Sequence, residues 1–73
     1  MNDMITPKQI KAARALCGWR QRDLAEMAGI AEVTIRTIEG ERNDPRVSTL
    51  GKIEAAFARA GVKFSSNGVS IAN

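Results

Sequence analysis

The sequence predicts an all-α fold, a bundle of four short helices, closed by a short C-terminal β-hairpin. Three observations predict it. Apolar residues recur at helical spacing in four stretches, and Gly18, Gly29 and Gly40 stand where the first three should end. Thr6-Pro7-Lys8-Gln9 has the chemistry of a helix start ahead of the first stretch. Beyond Gly61 the pattern changes to alternation around Asn67-Gly68, the strongest short hairpin-turn signal. A length of 73 residues suits one domain, near the size at which a single core suffices without staples. The core is expected within residues 6–61 and the hairpin within 62–72.

The first helix should run from Pro7 to Cys17. Thr6 caps it, Pro7 suits the first helical position, Gln9 completes a capping box and Gly18 stops it. Ile10, Ala13, Leu16 and Cys17 form its expected buried side, while Lys8 and Lys11 face water. Trp19 is expected to fold back over the edge of the core. Stacking on nucleic-acid bases is the weaker reading, because proteins that read duplexes rarely stack on bases.

The second helix should span Gln21 to Ala28, with an apolar stripe of Leu24, Ala25 and Ala28. The third should span Glu32 to Glu39, with Ile35 and Ile38 at i, i+3. Between them Gly29 can adopt the positive φ of a sharp turn, and Ile30 follows as an apolar plug. Ala25 is small where the two helices would cross closest, so a larger side chain should force them apart. Gly40 ends the third helix, and Glu41-Arg42-Asn43-Asp44-Pro45 has turn chemistry throughout. A fourth helix should begin near Val47 or Ser48 and end at Gly61, burying Leu50, Ile53, Phe57 and Ala60. Gly51 weakens it by about 1 kcal/mol relative to alanine. Close packing against a neighbouring helix is one reading of that glycine.

Closing the tail with a two-residue loop at Asn67-Gly68 sets Ser66 opposite Val69 and Phe64 opposite Ile71. Val62, Phe64, Val69 and Ile71 then share one face, and Lys63, Ser65, Ser70 and Ala72 the other. A lone hairpin is marginal in water, so this one should dock on the helices or pair with a second copy.

Residues 21–40, two short helices joined at a glycine, are the sequence form of a helix-turn-helix, which lays one helix in the major groove of DNA. Charge agrees with that reading. Eleven Lys and Arg against eight Asp and Glu leave a net charge of +3. Arg20, Arg22, Arg36, Arg42 and Arg46 flank the helix pair, whereas the last ten residues, from Phe64, carry no charged side chain. That distribution favours a polyanionic partner over a merely solvated basic surface. With no histidine and a single cysteine, the chain offers no nucleophile–base pair and no metal cluster, so neither an enzyme nor a cofactor is expected. Cys17 reads as a small buried helix residue, and a lone thiol suits a reducing, cytoplasmic compartment. No apolar run approaches the ~20 residues of a membrane span, and the N-terminus lacks a signal-peptide core.

From Ile10 to Phe57 the chain resembles the lambda-repressor-like helix-turn-helix family, the Cro and phage-repressor type. The shared features are Gly18-Trp19, Gln21 with Leu24-Ala25, Ala28-Gly29-Ile30, Thr34-Ile35 leading to Ile38-Glu39, and Thr49-Leu50 with Ile53. The resemblance implies a four-helix DNA-binding domain that binds operator DNA, usually as a dimer. It implies that Gln21 hydrogen-bonds a phosphate and that Glu32, Val33, Thr34 and Thr37 face base edges. It also implies that Arg14 and Glu39 tie the first helix to the end of the third. Members usually carry Ser, Thr or Asn just before the second and third helices. Here Arg20 and Ala31 stand there, so Ala31 offers no cap and Arg20 puts a positive charge beside the backbone.

Glu32 can accept from a cytosine amino group, and Val33 and Thr34 can meet a thymine methyl. Arg36 suits a phosphate, solvent or a guanine, with phosphate or solvent preferred. The candidate DNA-binding set is therefore Arg20, Gln21, Arg22, Glu32, Val33, Thr34, Arg36, Thr37, Arg42 and Arg46. Double-stranded DNA is the expected partner of a homodimer, with Phe64, Val69 and Ile71 of the hairpin as its expected interface. A transcriptional repressor is the leading reading. An antitoxin that autoregulates its operon and binds a toxin or other protein partner is a second, and a protein-interaction module without DNA binding a third.

Overall fold

The computed structural model describes residues 5–42, 44–66 and 68–71. Its elements are α1 (Pro7–Cys17), α2 (Gln21–Ala28), α3 (Glu32–Glu39), α4 (Val47–Arg59), β1 (Val62–Phe64) and β2 (Val69–Ile71). Local devices set most helix ends. The Thr6 hydroxyl accepts the Gln9 N–H at 3.2 Å, and the Gln9 carboxamide oxygen accepts the Thr6 N–H at 2.9 Å. These bonds satisfy two amides that no helical carbonyl can reach. Gly29 takes φ +72° between α2 and α3, a conformation that costs an L-residue roughly 1–2 kcal/mol. After α3 the left-handed residue is Glu41 (φ 57°), while Gly40 stays right-handed.

Helices α2, α3 and α4 pack together, with α1 against α3 and the hairpin against α1 and α4. Ile10, Leu24, Ile35, Ile53 and Phe57 fill the centre and are essentially inaccessible. Phe57 joins the layers. Trp19 stacks on it at 5.4 Å, as a cover for the core edge should, and Phe64 meets it edge-on at 5.7 Å.

Four expectations need correction. Leu16 is exposed, not buried: α1 turns Gln9, Ile10, Ala13 and, in part, Cys17 toward the core, and that face is rotated away from Leu16. On α4 the buried residue is Ala56, whereas Ala60 lies past the last helical turn and is exposed. Gly51 makes no close approach, since a Cβ there would meet nothing within 4 Å, and nothing in the structure explains the glycine.

The hairpin register also differs. Val62 pairs with Ile71 and Phe64 with Val69, two residues away from the expected pairing. A slip of two keeps every side chain on its face, so Val62, Phe64 and Val69 still point at the helices. The cause is tertiary. The Gln9 carboxamide N–H₂ donates to Ser65 O at 2.7 Å and Gly68 O at 3.1 Å, and the Ser65 N–H donates to Gly68 O at 3.0 Å. Residues 65 and 68 are thereby held as the mouth of a wider loop. Asn67 of the expected two-residue turn, and Ala72, lie outside the described residues.

Candidate nucleic-acid interface

The α2–α3 turn is tight because its residues are small. The Ile30 N–H donates to Ala25 O at 3.0 Å across Gly29, and the Ala25 side chain is buried. Ile35 and Ile38 then anchor α3 to the core. Their spacing leaves Val33 and Arg36 exposed and Thr34 and Thr37 half-buried on the outer side.

This outer edge of α3 stands between two clefts. One, of about 470 Å³, is lined by Lys11, Gln21, Arg36, Glu39 and Arg42 together with Val33 and Thr37. The other, of about 370 Å³, is lined by Thr34, Asp44, Pro45, Arg46 and Thr49, again with Val33 and Thr37. The two side chains common to both clefts are one helical turn apart and form a ridge. A ridge between two troughs matches the relief of a duplex, whose major groove admits a helix while a sugar-phosphate strand runs along each side.

The charge of the first cleft follows from a pairing beneath it. Glu39 is buried, and its carboxylate accepts from Arg14 Nε at 2.6 Å, Arg14 Nη2 at 2.8 Å and Gln21 Nε2 at 3.1 Å. Arg14 Nη1 donates to Trp19 O at 3.0 Å. The pair neutralises Glu39 and ties α1 to the end of α3, as the resemblance implies, leaving Lys11, Arg36 and Arg42 to make the cleft cationic. Gln21 keeps a second amide hydrogen for another acceptor. In the second cleft Asp44 offsets Arg46, so the two sides of the ridge differ in charge.

Arg20 and Arg22 are exposed at the start of α2. Arg20 gives no side-chain cap, but its N–H donates to Asp23 Oδ2 at 2.8 Å. That backbone hydrogen bond, aided by the Arg20 and Arg22 charges, holds the Asp23 carboxyl below its ordinary pKa. Ala31 likewise caps nothing, and Glu32 lies in the first turn of α3, where its charge suits the helix dipole. Glu32 also meets Arg36 at 3.3 Å across one turn.

Of the predicted residues, Gln21, Val33, Arg36, Thr37 and Arg42 converge on the cationic cleft. Thr34 and Arg46 join the second, and Arg20, Arg22 and Glu32 line neither. Sequence reasoning left out Lys11 and Thr49. Lys11 is exposed as expected, and it lines the cationic cleft. Its spacing from Arg14, i, i+3, was the available signal that both share the α3 side of α1. On the apolar face of the hairpin, Phe64 and Val69 are half-buried against the chain's own core, while Ile71 is exposed. Among the described residues no cluster of side chains could hold a metal ion, and no helix is long and apolar enough to cross a membrane.

A bundle with an exposed helix set between two clefts, one of them cationic, defines a DNA-binding module of the helix-turn-helix class. A helix-turn-helix family model matches residues 10–62, most of the chain. The chain therefore belongs to the lambda-repressor-like helix-turn-helix family, and is a DNA-binding transcription regulator. Comparison with individual curated proteins finds no match.

Proposed function

We propose that the protein is a repressor that binds an inverted-repeat operator as a homodimer. The observation that carries the reading is the Val33–Thr37 ridge between two clefts, with Lys11, Arg36 and Arg42 on one side. In this reading α3 enters the major groove, and Val33, Thr34, Thr37 and Glu32 lie nearest the base edges. Gln21, Arg36 and Arg42 hold one phosphate strand, Arg46 lies beside the other, and Arg20 and Arg22 extend the backbone contact. A helix this short reads only a few base pairs. Two copies on half-sites about 34 Å apart would supply the remaining specificity. Repression then needs no further domain, because a bound dimer occludes the promoter.

Selection of the full chain against a random duplex library, repeated at two salt concentrations, tests this. An enriched inverted repeat with affinity falling steeply as salt rises is the expected result. Weak binding at both salts without enrichment would overturn it. Light scattering reports the oligomeric state, and a particle that remains monomeric on its selected site would remove the dimer.

A further inference from the structure

The three cations of the first cleft are not equally free to meet a phosphate. Among the described residues neither Lys11 nor Arg42 forms an ion pair. Arg36 does: its Nη2 donates to Glu32 Oε2 at 3.3 Å, one turn back along α3. Glu32 lines neither cleft, so it draws on the Arg36 charge from outside the site. The pair contributes little to the fold. Its side chains are 60% and 42% exposed, and an exposed pair at i, i+4 on a helix is a weak stabiliser. Asp23 meets Arg20 similarly at 3.5 Å, but it also accepts the Arg20 N–H and so helps to start α2. Among the described residues the Glu32 side chain has no hydrogen bond besides the one from Arg36.

From this arrangement we infer that Glu32 is a brake on sequence-independent DNA binding, competing with phosphate for Arg36. The inference rests on the reading that sets the first cleft against a phosphate strand, and it names a residue of this chain that opposes that contact. On DNA without an operator, affinity comes almost wholly from phosphate contacts and the counterions they release. A phosphate that takes Arg36 must displace the Glu32 carboxylate, or share the guanidinium with it and lie close to a like charge. Either way, Arg36 returns less than a full phosphate contact. Lys11 and Arg42 meet no such competitor, so the brake acts at one point of the cleft.

The test is fluorescence anisotropy of the full chain with a random-sequence duplex over a range of salt. Glu32→Gln removes the charge and keeps the shape. It is expected to bind about three- to eightfold more tightly near 0.1 M salt, the upper figure being one full phosphate contact. Its slope of log affinity against log salt should steepen by up to about 0.9. In an Arg36→Ala background the same substitution should add about twofold or less, because the group it frees is gone. No gain in the wild-type background, or equal gains in both, would overturn the inference. Arg42→Ala separates that failure from failure of the underlying reading. If Arg42→Ala lowers the slope, the cleft meets phosphate and a missing Glu32→Gln gain sinks the brake alone. An unchanged slope would overturn both together. Glu32, Arg36 and Arg42 are not core residues, so the variants keep the fold, which circular dichroism would verify.

Discussion

Removing Glu39 probes how the recognition helix is held. Its carboxylate is buried and takes three hydrogen bonds, two from Arg14 and one from Gln21, while the Arg14 side chain is 19% exposed. Glu39→Ala leaves the Arg14 guanidinium with Trp19 O as its remaining partner and strands the Gln21 amide. Loss of one partner of a fully buried pair costs about 3–5 kcal/mol. The partial exposure of Arg14 lets water recover some of that, so about 2–4 kcal/mol is expected. For a chain of this size the total stability is on the order of 4–11 kcal/mol, so the variant loses a large share of it. The melting temperature should fall by roughly 10–25 °C.

Urea unfolding followed by the fluorescence of Trp19, the single tryptophan, reads this directly because its indole stacks on Phe57. Arg14→Met alone should cost a similar amount, since it leaves a carboxylate buried with only Gln21. The double variant Arg14→Met/Glu39→Leu removes both charges and should be more stable than either single variant. Single variants costing under about 1 kcal/mol, or a double variant costing the sum of the two, would refute the argument that the pair matters through the charge left behind.

Gln9→Glu keeps the oxygen that caps Thr6 but loses the N–H₂ that bonds Ser65 and Gly68. The expected cost is about 1–3 kcal/mol, with faster amide exchange confined to the hairpin, and unchanged exchange there would refute the role given to the Gln9 hydrogen bonds. Lys11→Ala should weaken binding evenly across DNA sequences and lower the slope of log affinity against log salt by about 1, measured by fluorescence anisotropy. A sequence-dependent effect would argue against a phosphate contact. Asp23, held below its ordinary carboxyl pKa by the Arg20 N–H, contributes stability that is complete above the unfolded pKa. That contribution fades as pH falls through the lower folded value. Carbon-detected NMR titration should find Asp23 below an ordinary aspartate, and a midpoint at or above the ordinary value would contradict the assignment.

The comparison of sequence with structure separates by distance along the chain. Thr6, Pro7 and Gln9 start α1, Gly18 and Gly29 end α1 and α2, and Leu24, Ala25, Ile35 and Ile38 mark the inner faces of the helix pair. Capping bonds and helical periodicity involve residues three or four apart, so they are written locally, and the helix-turn-helix was legible for that reason. The sequence by itself thus determined the elements and their order.

Only the tertiary structure decided the rest. The hairpin register follows from Gln9, more than fifty residues away in sequence, grasping two carbonyls at the loop mouth. A two-residue turn signal cannot outweigh a pair of part-buried hydrogen bonds that the turn itself does not encode. Leu16 is exposed, and Ala56 is buried where Ala60 was expected, because helix rotation is fixed by the neighbours a helix packs on. Lys11 becomes part of the candidate interface because Arg14 binds Glu39 and brings α1 beside α3. Periodicity states which residues share a face; which surface that face meets is settled when distant segments bury their apolar groups and satisfy their polar ones together.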